Sequence, residues 1–68
     1  MTVKELYDRN MAKLKVVDFK SGNVLAFPFD PDQHKDLCNV TVDFVFVDLD
    51  VHGRNVMKTY EPIQCCYV

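Results

Sequence analysis

Apolar residues recur along this chain with two different periods. Val3, Leu6, Tyr7 and Met11 fall three and four apart, which is one face of an α-helix. Thr2 and Glu5 stand at capping-box spacing just ahead of that stripe, where a threonine hydroxyl accepts the Glu5 amide and the carboxylate reaches back. The spacing predicts a helix over residues 3–11. It is too short to persist alone and must dock its apolar stripe on something.

From Lys13 onward the period is two. KLKVVDF and VLAFPF flank KSGN, a turn cluster whose glycine can take positive φ. This predicts a β-hairpin over residues 13–19 and 24–29, with Pro28 assigning the second strand to an edge. DPDQHKDL (30–37) is a loop or one helical turn, with Asp30 as cap, Pro31 at the first helical position and Gln33 completing the box. In CNVTVDFVFVDLDV (38–51) the apolar positions change parity: Val40, Val42, Phe44 and Phe46 are even, Val45, Val47, Leu49 and Val51 odd. Either a β-bulge inserts one residue, or a long central strand is covered on both faces in its middle. The second account, with room for a bulge, is preferred, and both make this the central strand. HGRN (52–55) is a turn, VMKTYE the returning strand, Pro62 an interruption, and IQCCYV a short last strand or tail. The prediction is one α+β domain spanning residues 1–68: a short N-terminal helix packed on a mostly antiparallel sheet of four to five strands made of two hairpins.

Composition narrows the class. The chain has 68 residues, 49% hydrophobic and 26% charged, which is globular. No apolar run approaches the roughly 20 residues of a membrane helix, and no basic start leads into an apolar signal segment. Three cysteines, Cys38, Cys65 and Cys66, do not make a closed disulfide framework. A soluble cytoplasmic protein is expected. Charge is segregated: five basic residues against three acidic ones over residues 1–20, then three against seven over residues 21–68. That distribution is not an ordinary nucleic-acid footprint, and no direct nucleic-acid or membrane contact is expected.

Candidate chemistry is sparse. DLDVHG opens like an EF-hand loop, but its fifth position is His52 and its twelfth is Thr59 rather than the bidentate glutamate. Alternation alone accounts for Asp48 and Asp50 as solvent-facing residues of a strand whose odd positions are buried. Asp43, Asp48 and Asp50 as a metal-binding carboxylate cluster would need a convergence the sequence does not display. Gly22 is isolated, so there is no phosphate-cradling loop. His34, Cys38 and His52 are weak zinc candidates, because adjacent Cys65 and Cys66 point to opposite faces of a strand and no C-x₂-C pair exists. Cysteine is often simply a buried small apolar residue. Cys38 beside a histidine is a formal nucleophile, yet a chain this small has little room for a cleft, and it is not expected to be an enzyme. No cofactor is expected. Asp30, Asp32, Asp36, Asp43, Asp48 and Asp50 form a spaced acidic row suited to a basic groove on a protein partner. Eight aromatic residues with one helix to cover two sheet faces point to an exposed face or edge, hence to a protein partner or a homo-oligomer.

The opening MTVKEL, followed by a hairpin and by VDFVFVDLDV, resembles short proteins encoded by bacteriophages and prophages of gut Firmicutes. The match is clearest over residues 2–6 and looser to about residue 51. YDRNM after Leu6 and the Cys-Cys tail depart from the pattern. The resemblance implies an inhibitor of host defence that binds a host protein or sequesters a signalling nucleotide. The protein-binding module is the leading expectation. An oligomeric nucleotide sponge is the second, drawing on Arg9, Lys13, Lys15 or Arg54 for phosphates and Tyr60 for stacking. A small structural zinc module is the third.

Overall fold

The computed structural model describes residues 1–9, 13–53 and 57–68. Helix α1 spans Val3–Arg9. The capping box is formed: the Glu5 amide donates to Thr2 Oγ1 at 3.2 Å, and Glu5 Oε1 accepts the Thr2 amide at 3.1 Å. The next two amides, of Val3 and Lys4, donate to the carbonyls of Val40 and Cys38. The first turn of α1 is thereby fixed to the segment entering the long hairpin. Residues 10 and 11 of the expected helix, including Met11, lie outside the described residues.

Among the described residues four strands follow: β1 (Lys13–Val17), β2 (Val24–Ala26), β3 (Phe44–His52) and β4 (Thr59–Tyr67). Their order in the sheet is β2-β1-β4-β3. Each hairpin is antiparallel, and the two are joined by parallel pairing of β1 with β4. The fold is α+β with a mostly antiparallel sheet, as expected. Strand β2 ends at Ala26, before Pro28, and is shorter than the expected 24–29. The loop option holds for residues 30–34: Asp30 Oδ1 accepts the Asp32 amide and its carbonyl accepts the amides of Gln33 and His34, and a single 3₁₀ turn, Lys35–Leu37, follows.

Two expectations need correction. The acidic, valine-rich strand is not central: β3 is terminal in the sheet, and β4 takes the centre between β1 and β3. Nor does Pro62 interrupt the return, because β4 runs through it in one piece, paired with Leu49. The reason lies in which way the amides point. Val68 donates to the Val17 carbonyl and accepts from Phe19, so even-numbered residues at this end of the chain face β1. Pro62 turns its missing donor to that same side, and the β1 pairing starts one residue later, at Ile63. The β3–β4 ladder therefore loses nothing at the proline.

The parity change is resolved at Asp43. Val42 and Val45 both pack against the core. Three residues apart in an unbroken strand, they would face opposite ways. The Asp43 amide bonds the Tyr67 carbonyl, although Tyr67 is in register with Phe44. One extra residue is accommodated there, as in a β-bulge, and the register is regular from Phe44 to His52.

The core sits where α1 covers the β1–β4 junction. It joins Val3 and Leu6 of the helix to Leu14, Val16, Ala26, Phe29 and Cys66. Tyr7 meets Phe29 edge-on at 5.5 Å. Only the inner half of the long hairpin shares this core. The outer half, Leu49–His52 against Thr59–Pro62, extends beyond the residues paired with β1. The molecule measures 41 × 25 × 20 Å with a radius of gyration of 12.7 Å, against roughly 11 Å for a compact chain of this length. The projecting arm accounts for the excess. Among the described residues no helix is long and apolar enough to cross a membrane.

Candidate functional site

Strand β3 presents a different chemistry on each face. Val45, Val47, Leu49 and Val51 share the face that carries α1, in register with Cys66, Gln64, Pro62 and Tyr60. The helix reaches only the first of them. Val47 is 69% exposed, Leu49 57%, Val51 49% and, across the hairpin, Tyr60 61%. These four make a row of uncovered apolar side chains running from the four-stranded region out along the arm. Alternation predicts the odd residues of this strand as buried, but it tells only which side chains share a face, not whether another layer lies on it.

The opposite face begins aromatic and ends charged. Phe44 stacks on Tyr67 at 4.9 Å, Phe46 lies 5.0 Å from the same ring, and Phe19 meets Phe44 edge-on at 5.4 Å. Beyond the rings come Asp48, Asp50 and His52. His52 Nε2 lies 3.2 Å from both Asp50 Oδ2 and Glu61 Oε2, and Lys13 Nζ lies 3.7 Å from the same Glu61 oxygen. Asp48 pairs with no cation among the described residues; its Oδ1 accepts the adjacent Leu49 amide at 2.8 Å.

That bond fixes the orientation of the outer edge. Were the Leu49 amide turned inward it would meet the Pro62 carbonyl, so its bond to Asp48 places it on the outer side. In an extended strand alternate amides point the same way. The amides of Val45, Val47 and Val51 accordingly follow Leu49 toward the free edge, away from β4.

The acidic row divides. Asp48 and Asp50 share the charged face of β3, and Asp43 stands at the bulge. Asp30, Asp32 and Asp36 belong to the turn between β2 and β3. Glu61 joins the strand acids across the hairpin, opposite Asp50; the sequence places it in the returning strand but does not write the register that brings it to the acids of β3.

Among the described residues, those considered for a nucleotide are not gathered within one chain. Lys13 and Lys15 align with Ile63 and Cys65 and so lie on the charged face, with Lys15 Nζ 4.9 Å above the Phe27 ring. Tyr60 is on the other face. Arg9 ends α1, and Arg54 is outside the described residues.

The zinc candidates are also dispersed. The Cys38 thiol donates to the carbonyls of His34 and Pro31 at 3.6 and 3.7 Å. His34 Nδ1 accepts the Asp30 amide at 3.1 Å, and its ring stacks on Phe29. His52 is bound to the strand acids. Among the described residues no three His, Cys, Asp or Glu side chains gather as a metal-holding group. Cys65 and Cys66 point to opposite faces, and both are buried. Burial pushes the Cys66 thiol up to about 11 and raises that of Cys65. No protein-family model, no curated protein and no solved structure matches this chain.

Proposed function

We propose that this chain is a non-enzymatic protein-binding module and that the β3–β4 arm is the part that binds. One observation carries this reading: Val47, Leu49 and Val51 of the terminal strand, with Tyr60 across the hairpin, stand uncovered in one row on the face that carries α1. A contiguous apolar patch on a small protein marks an interaction surface more often than chance exposure does. Covering a side chain such as Leu49 yields about 2 kcal/mol, a substantial part of a micromolar affinity. The acids of β3 add charge for partner selection. Resemblance to short phage proteins supports a host protein, and among those a defence component, as the partner.

The test is site-specific photocrosslinking in the host cell. A benzophenone side chain replaces Leu49 in one variant and Lys20, on the distant hairpin turn, in another. The expected result is a discrete adduct at position 49 and none at position 20. A Leu49→Lys change should abolish the partner's recovery while leaving the circular-dichroism spectrum intact. Equal labelling at both positions, or none at either, would overturn the proposal.

A further inference from the structure

Resting on the protein-binding reading, we infer that the partner adds an extended strand to the outer edge of β3 and that this strand alternates aliphatic with basic residues. Three features converge on it. The first is the edge itself. β3 is a nine-residue strand at the end of the sheet with its odd-numbered amides pointing outward. Such an edge is a template for one more strand, and main-chain bonds then supply affinity while alternate side chains supply selectivity.

The second is the two-faced chemistry. Side chains directly opposite each other on paired strands share a face. Residues opposite Val45, Val47, Leu49 and Val51 would join the uncovered aliphatic row. The intervening residues would stand opposite Phe44, Phe46, Asp48 and Asp50. Carboxylates and aromatic ring faces both favour lysine or arginine in those places.

The third is charge complementarity, which also discriminates against a second copy. β3 contains no lysine or arginine. Any register of two β3 strands that keeps the aliphatic faces together and pairs both aspartates within β3 leaves Asp48 and Asp50 opposite phenylalanine, aspartate or at best His52. A basic strand relieves that conflict. Its backbone carbonyl would take over the Leu49 amide and release the Asp48 carboxylate, now held there at 2.8 Å, to meet the incoming cation.

The probe is a terminally blocked nine-residue peptide alternating valine and lysine, titrated against the full chain by NMR. Saturable shifts centred on β3 are expected, with the valine–glutamate counterpart at least tenfold weaker. N-methylation of all valine amides blocks one edge of the peptide, and of all lysine amides the other. One methylated peptide should lose binding and the other keep it. Val47→Pro removes an outward donor without touching the β4 ladder, and should weaken binding at least tenfold. Asp48→Asn with Asp50→Asn should weaken it several-fold. Equal behaviour of the two methylated peptides overturns edge pairing, and equal affinity of the lysine and glutamate peptides overturns the charge rule. The methylated peptides leave the protein unaltered, so the test holds even if Val47→Pro does not fold. A dimer in sedimentation that Val47→Pro dissociates would assign the edge to a second copy instead. Loss of the position-49 crosslink would remove the underlying protein-binding reading. Persistence of that crosslink without peptide binding removes only the strand.

Discussion

Burial separates the three thiols. Cys38 is half-buried in the turn region, whereas Cys65 and Cys66 are enclosed on the two faces of β4. The thiolate is the reactive species, and burial raises the cost of forming it, most at Cys66, which reaches about 11. Ellman's reagent at about pH 8, near the unperturbed thiol pKa, should therefore modify one thiol quickly in the native protein and all three after denaturation. Mass mapping should place the fast site at Cys38. Three equally fast thiols would mean that the sheet opens on the timescale of labelling. The capping box offers a second residue-level test. Hydrogen bonds from the Thr2 amide and hydroxyl hold the Glu5 carboxyl below its usual range. A carboxyl whose folded pKa is depressed stabilises fully above its unfolded pKa and loses that contribution as pH falls through the folded one. Glu5→Gln should therefore flatten the acid side of the stability curve, read as urea midpoints from about pH 6 down to about pH 3. Thr2→Ala should cost about 1 kcal/mol at neutral pH.

The two hairpins differ in how their turns tolerate change. Gly22 and Gly53 both have positive φ, at 75° and 94°. A Cβ on Gly22 meets nothing within 4 Å, whereas one on Gly53 would run into the Met57 carbonyl. Gly22→Ala should cost about 1–2 kcal/mol from backbone conformation alone. Gly53→Ala should cost clearly more, and denaturant unfolding of the two variants side by side would reverse the argument if the order were inverted. Amide exchange should be slowest at Cys66, inside the four-stranded region, and faster at Tyr60 and Glu61 on the arm. The two hairpins and the helix start were legible in the sequence because local rules write them: a capping box at Thr2 and Glu5, a glycine turn at KSGN, alternation in VFVDLDV. Strand order was not. It depends on β1 reaching β4 in parallel across most of the chain, and no local pattern encodes that contact. Pro62 misled for the same reason, since its cost depends on which neighbour its nitrogen faces. The candidate site was half legible. Asp48 and Asp50 were singled out as charge, but Val47, Leu49 and Val51 were read as core, because the sequence does not show where the covering helix stops.

At the scale of the molecule, the short helix α1 serves an elongated sheet and leaves the outer part of β3 and the arm uncovered. Such an edge invites self-association, which is one reason an oligomer was expected from sequence. The charges of β3 work against that route at this edge. Native sheets commonly protect their ends by placing charges on the last strand, so that a second copy brings like charge to like charge. Asp48 and Asp50 stand where such residues act, and β3 offers a copy of itself no basic residue in return. The same two carboxylates that would select a basic strand should therefore also hold two copies apart at this seam. Replacing both with asparagine keeps the size of the side chains and removes the repulsion. The wild type should sediment with little dependence on concentration through any contact at β3, while Asp48→Asn with Asp50→Asn should self-associate more strongly, and Val47→Pro added to that pair should reverse it. Added salt should move the wild type toward the double variant, because exposed charges are screened within about 10 Å at 0.1 M ionic strength. Indistinguishable sedimentation of wild type and double variant would make the strand acids merely solvated surface, with no part in choosing what pairs with β3.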